Sequence, residues 1–225
     1  MGRRLGGAAM TLPFVTESEQ RDAVAKVIAH LRGGGLLAYP TETVYGLGSL
    51  PTPEGLTALI RLKGRAPNKP FLLLISSRAM AESAGLTFNA SASALASAFW
   101  PGPLTLVLPG GEGQLPDALR GVEGGIAVRH TSHAGIAHLV AELGTPLTST
   151  SANRPGHPAA PGVTSLVDSF RSAVEAGQLL VLDGGVLGNV PPSTVLDCTG
   201  VIPKMIRAGA IPVAELRSAV GSLAP

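Results

Sequence analysis

The chain has little charge, few aromatic side chains and a single thiol. Cys198 has no second cysteine to pair with, so an internal disulfide is excluded, and no Cys/His cluster shows the spacing of a zinc site. A reducing, cytoplasmic setting is the expectation. Charged residues make up 14% of 225 and the formal net charge is only +2, which by itself does not indicate nucleic-acid binding. Apolar runs such as Phe71-Leu-Leu-Leu-Ile75 fall far short of the ~20 residues that cross a bilayer, so no membrane partner is expected. The N-terminus lacks the apolar stretch of a secretory signal. Residues 1–12 read as a flexible leader ahead of one domain over 13–225. The G-x-x-x-x-G-K-[ST] phosphate loop, G-x-G-x-x-G, H-E-x-x-H and G-x-S-x-G are all missing as well. A nucleotide, if one is handled, is held by another route.

What is present is 45% hydrophobic residues, enough for a sizeable core, with 29 glycines and 19 prolines that call for many turns. Thr16 and Glu19 form a capping-box pattern before Val24, Val27, Ile28 and Leu31, predicting a helix over 17–32 that Gly33-Gly34-Gly35 ends. Further helices are predicted over 53–62, 77–84, 90–99, 133–143, 164–175 and 212–219. Short buried strands are predicted over 36–39, 71–75, 104–108, 126–129, 146–150, 179–182, 194–198 and 204–207. A long loop is expected from 110, and another over 151–162. The strands after 179 lie too close in sequence for a crossover and are expected to be antiparallel. The interleaving predicts an α/β fold: a single domain with a mixed parallel/antiparallel sheet flanked by helices.

Polar groups crowd the ends of several apolar strands, where ligands of α/β sheets bind. Thr41, Thr43 and the glycines at 46 and 48 follow the first strand. Lys63-Gly64-Arg65 closes a helix within a run of five basic residues, Arg61, Lys63, Arg65, Lys69 and Arg78, that contains no acid. Thr148-Ser149-Thr150-Ser151-Ala152-Asn153 ends another strand, Arg129 ends a third, and Ser193 and Arg207 flank the last two. Each pattern has a structural reading beside the functional one. The hydroxyls can satisfy nearby backbone groups, the cations can cap helices, and Arg129 can sit in a structural salt bridge. The five histidines, at 30, 130, 133, 138 and 157, show no metal-binding spacing.

Taken together the segments resemble the YrdC-like family, the threonylcarbamoyl-AMP synthases. The matching stretches are Tyr39-Pro-Thr-Glu-Thr-Val-Tyr-Gly-Leu-Gly48, Leu62-Lys-Gly-Arg65 with Asn68-Lys-Pro70, Trp100-Pro-Gly-Pro-Leu-Thr-Leu106, Ala127-Val-Arg129, Thr150-Ser-Ala-Asn153, and Ser193-Thr-Val-Leu-Asp197 with Ile206-Arg-Ala-Gly209. They stand along the chain in the family's order. The resemblance implies a twisted sheet around a concave basic cavity. It implies a nucleotidyltransferase that joins L-threonine, bicarbonate or CO2, and ATP into threonylcarbamoyl-adenylate for tRNA modification, with ATP and Mg²⁺ as substrate and no tightly bound prosthetic group. Lys63, Arg65, Ser151 and Asn153 match the family's K-x-R and S-x-N tetrad, which engages the nucleotide. Arg207 is allotted to ATP as well, and Thr41, Arg129, Thr150 and Ser193 to threonine. Lys63 and Arg65 are the implied catalytic pair; no metal ligand is implied.

Partners implied in the same way are weak tRNA binding and a downstream tRNA threonylcarbamoyl transferase. Ending at Pro225, the chain resembles the short, single-domain form, with the leader or the 153–162 loop as a lid. The competing class is an RNA-binding module of the same fold without chemistry. It needs stacking aromatics, yet aromatics are 4% of the chain and none interleaves the basic run.

Overall fold

The apolar runs of the sequence become strands of one ten-stranded sheet. The computed structural model describes residues 10–64, 69–121, 123–188 and 190–224. Its strands are β1 (Thr11–Pro13), β2 (Leu36–Tyr39), β3 (Gly46–Gly48), β4 (Leu72–Ile75), β5 (Leu104–Leu108), β6 (Ile126–His130), β7 (Leu147–Ser151), β8 (Leu179–Asp183), β9 (Thr194–Asp197) and β10 (Lys204–Arg207). They lie in the order β1-β8-β2-β3-β7-β4-β6-β5-β9-β10. Parallel pairs such as β4 with β6 and β5 with β9 alternate with antiparallel ones such as β4 with β7 and β5 with β6. The sheet is mixed, as the interleaved pattern predicts.

Helices cover both faces. They are α1 (Glu17–Arg32), α2 (Pro53–Lys63), α3 (Arg78–Ser83), α4 (Ala90–Phe99), α5 (Ala134–Leu143), α6 (Val163–Ser169), α7 (Arg171–Glu175) and α8 (Val213–Val220). Because side chains alternate along a strand, Leu37, Tyr39 and Leu74 pack with Val27 and Leu31 of α1 and Ile136 and Leu139 of α5. Their neighbours Leu36, Ala38, Leu73 and Ile75 pack on the other face with Leu56 and Leu59 of α2 and Leu95 of α4. Each of these leucines, fully buried, contributes about 1.5–3 kcal/mol. The capping box of α1 is present: Thr16 Oγ1 accepts from the Glu19 amide at 3.3 Å, and the Glu19 carboxylate accepts from the Thr16 amide at 2.8 Å.

The structure departs from the sequence expectations in four places. Residues 1–9 of the expected leader lie outside the described residues, whereas Thr11 and Leu12 belong to β1 and pair with β8. Of the strands after 179, β9 and β10 are antiparallel, but β8 sits in the far half of the sheet, parallel to both β1 and β2. The helix expected over 164–175 divides at Phe170, whose side chain turns into the core. The glycine-rich β3 is an additional strand. A Cβ on Gly48 would stand 2.1 Å from the Thr148 carbonyl oxygen, so the close pairing of β3 with β7 requires a residue without one.

Candidate active site

A cavity of about 240 Å³ opens where the 41–46 segment and strands β6, β7, β9 and β10 converge. Thr41, Arg129, Thr150, Ser151, Ser193 and Arg207 all line it, with Val44, Leu72, Ala127 and Val195 as apolar wall. The four residues allotted to an amino acid and two of those allotted to the nucleotide, Ser151 and Arg207, are therefore brought together.

Each side chain is held by its own local device. Thr41 Oγ1 donates to the Val44 carbonyl at 2.7 Å and accepts from the amides of Thr43 and Val44 at 3.2 Å each, building the turn that follows β2. Arg129, 4% exposed, donates from one Nη to Thr43 Oγ1 at 3.3 Å. Its Nε stands 3.8 Å from Glu42 Oε1, near enough for charge pairing and too far for a hydrogen bond. Neither of those two atoms has a hydrogen-bond partner among the described residues. The other Glu42 oxygen accepts from Thr131 Oγ1. On the opposite wall Arg207 grips the Ser193 carbonyl with Nε and Nη2 at 3.2 and 2.7 Å, and Ser193 Oγ with Nη2 at 3.1 Å. Ser193 Oγ also bonds Thr105 Oγ1 at 2.9 Å. Burial, and then the charge of Arg129, pull the Arg207 guanidinium below its ordinary value.

Lys63 is the last residue of α2, which Gly64 terminates at φ +64°, a left-handed conformation that suits glycine. The side chain is 4% exposed. Its ammonium donates to the Ser151 carbonyl, to Ser151 Oγ at 3.3 Å and to Asn153 Oδ1 at 2.8 Å. Asn153 Oδ1 in turn accepts from Ser151 Oγ at 2.6 Å, and its amide nitrogen donates to the His157 carbonyl. Lys63, Ser151 and Asn153 thus form one cluster, joined to the cavity through Ser151. Arg65 lies outside the described residues.

The basic run does not converge as a whole. Arg78 pairs with Glu82 at 2.7 Å and covers the Phe88 ring at 4.6 Å, while Arg61 lines a separate cleft of about 580 Å³ with His30 and residues 33–35. Glu42, Thr105 and Thr131 support the site without having been singled out for it. Glu42 and Thr105 lie inside stretches that carry the resemblance, but only the fold reveals that they touch Arg129 and Ser193.

The geometry defines a class: an α/β protein with a small-molecule pocket, arginine on two walls and hydroxyls between them. The family model Sua5/YciO/YrdC, described as "Telomere recombination", matches residues 29–209. A threonylcarbamoyl-AMP synthase of Chromohalobacter salexigens is 38% identical over 180 residues, which is 80% of this chain and 94% of that protein. One of Pyrococcus abyssi is 34% identical over 194 residues, covering 86% of this chain and 56% of that protein. Among solved structures, P. abyssi Sua5 complexed with L-threonine superposes with a TM-score of 0.82 at 32% identity, covering 95% of this chain and 61% of that one. This chain belongs to the Sua5/YciO/YrdC family. It spans little more than half of the Pyrococcus relatives and nearly all of the Chromohalobacter one. No helix of the described residues is long and apolar enough to cross a membrane.

Proposed function

We propose that the chain is a threonylcarbamoyl-AMP synthase, a nucleotidyltransferase that acts in the cytoplasm on L-threonine, bicarbonate or CO2, and ATP. The observation that carries this is the convergence on one cavity of a buried arginine beside a carboxylate, a second arginine held by neutral oxygens, and the Lys63–Ser151–Asn153 cluster. At about 240 Å³ the space lies below the ~300–1,000 Å³ of sites that enclose a drug-sized ligand. It takes threonine and the reacting phosphate, with the rest of the nucleotide lying outside.

In this reading Arg129 pairs the threonine carboxylate, and the Thr41, Thr150 and Ser193 hydroxyls read its hydroxyl and amine. The threonine nitrogen attacks carbon dioxide and loses a proton, giving a carbamate. A carbamate oxygen then attacks the α-phosphorus, the bond from that phosphorus to the bridging oxygen breaks, and pyrophosphate leaves with the electron pair. With bicarbonate as the carbon source, one water is released too. Lys63, with Arg65 as its basic partner, stabilises charge that builds on the phosphate oxygens, and Ser151, Asn153 and Arg207 orient the nucleotide. No covalent enzyme intermediate is needed.

Among the described residues no three His, Cys, Asp or Glu gather as a metal site, and Glu42 is engaged by Thr131 and Arg129. Mg²⁺ enters with ATP as part of the substrate. The 153–162 loop serves as the lid, and the adenylate passes to a downstream tRNA threonylcarbamoyl transferase. Among the described residues the cavity lining contains no Phe, Tyr or Trp, which leaves the RNA-binding alternative without its stacking platform.

The test is incubation with ATP, Mg²⁺, bicarbonate and labelled threonine, followed by measurement of threonine-dependent pyrophosphate and labelled adenylate. Lys63→Ala and Arg65→Ala are each expected to lower the rate by about a hundredfold or more with an unchanged circular-dichroism spectrum. Near-normal product formation in either variant overturns the assignment.

A further inference from the structure

Arg154 directly follows the Ser151–Asn153 turn and is absent from the cavity lining. One Nη donates to the Leu62 carbonyl at 3.0 Å, while Nε and the other Nη donate to the Ser169 carbonyl at 3.3 and 3.2 Å. The guanidinium carbon stands 4.9 Å from the centre of the Phe170 ring. Both carbonyls belong to the last turns of helices, α2 and α6, where peptide oxygens have no partner within the helix and partial negative charge collects. One planar fork ends two helices at once, which the point charge of a lysine cannot do.

Leu62 immediately precedes Lys63. The segments 62–63 and 151–154 are therefore stitched together twice, by Lys63 reaching to Ser151 and Asn153, and by Arg154 reaching back to Leu62. A phosphate at the cavity would compete with Ser151 and Asn153 for the lysine ammonium, whereas the contact of Arg154 with Leu62 lies outside the cavity lining. We propose that Arg154 is a positioning residue that holds the end of α2 against the Ser151–Asn153 turn and so sets where Lys63 meets the nucleotide. Arg154 is exposed, where polar contacts add little to fold stability; its contribution is placement.

This inference rests on the synthase reading, so the wild-type baseline comes first. ATP affinity and steady-state pyrophosphate release are measured on the full chain for wild type, Arg154→Ala, Arg154→Lys, Lys63→Ala and the Arg154→Ala/Lys63→Ala double variant. Arg154→Ala is expected to raise the KM for ATP about tenfold, to leave the KM for threonine within about twofold, and to lower the melting temperature by no more than a few degrees. Arg154→Lys restores part of the loss, because lysine reaches one carbonyl and not both. In the Lys63→Ala background, Arg154→Ala costs less than about twofold in ATP affinity, since it acts through Lys63. An unchanged KM for ATP, complete rescue by lysine, or a loss equally large without Lys63 overturns the proposal. Wild-type protein that neither binds ATP nor releases pyrophosphate overturns the synthase reading itself, and this result is seen before any variant is compared.

Discussion

The β6 wall and the β9–β10 wall of the cavity each present one arginine, in opposite surroundings. Arg129 is buried 3.8 Å from Glu42. Arg207 lies on the exposed edge strand, gives its hydrogens to the carbonyl and hydroxyl of Ser193, and has no ion pair among the described residues. The first wall therefore carries both signs of charge and the second only positive; burial, and after it the charge of Arg129, holds Arg207 below its ordinary value. A zwitterionic amino acid suits a wall that holds both signs, and a polyphosphate suits a wall that holds one. In the proposed reading, this difference assigns the threonine carboxylate to Arg129 and the nucleotide to Arg207, with Ser193 on the boundary between them.

Removing one arginine at a time breaks this comparison most directly. Arg129→Met leaves the largely buried Glu42 without its counter-charge and should cost about 3 kcal/mol of stability, read as a lower urea midpoint. Arg207→Met, on the open wall, should cost less than about 1 kcal/mol. Equal losses would mean that the two walls do not differ as described. Glu42→Gln sharpens the point at a smaller scale. It keeps the acceptor for Thr131 and removes the charge, so a loss of about 1 kcal/mol is expected, with a raised KM for threonine and an unchanged KM for ATP.

Acid separates the walls further. His130 and His133 stand near Glu42, and burial holds both imidazoles below their ordinary value against the opposing pull of that carboxylate. The unfolded chain, with histidine near ~6.5, takes up protons before the folded one does. Stability is therefore untouched above about pH 6.5 and falls as the pH drops below it. His133→Asn keeps an acceptor for the Ile136 amide, which His133 Nδ1 caps at 3.4 Å, and should flatten part of that fall in urea titrations between pH 7 and 5.5. A wild-type midpoint that does not move over this interval contradicts the argument. The smallest effect belongs to Cys198, beyond the end of β9. Burial, with Asp197 adding to it, pushes its thiol up to about 12, so iodoacetamide at pH 8 should label the unfolded chain and spare the native one. Rapid native labelling would place that thiol in the open.

Much of this was legible in the sequence wherever one local rule decided the outcome. The capping box at Thr16 and Glu19 and the glycine that closes α5 at φ +73° needed no tertiary information. The apolar runs at 36–39 and 104–108 became β2 and β5 with the same bounds. β3 escaped the pattern because two of its three residues are glycines, selected by the approach of Tyr39 and Thr148 rather than by strand propensity. The parallel placement of β8 is hidden because strands close in sequence need not be neighbours in the sheet. In the site, Lys63, Ser151 and Asn153 were visible as spaced polar residues at element ends. Glu42 resembled an ordinary loop acid, and Thr105 an ordinary strand residue, until the fold brought them to Arg129 and Ser193. Arg154 carried no signal of its own, since its partners are backbone oxygens 15 and 92 residues away.

Calorimetric titration of L-threonine and of ATP into Arg129→Met and Arg207→Met tests the two-wall account most directly. Arg129→Met should bind threonine about a hundredfold more weakly and ATP nearly as the wild type does, and Arg207→Met should show the reverse. If both variants lose both ligands equally, or each loses the ligand assigned to the other wall, the division of the cavity is wrong.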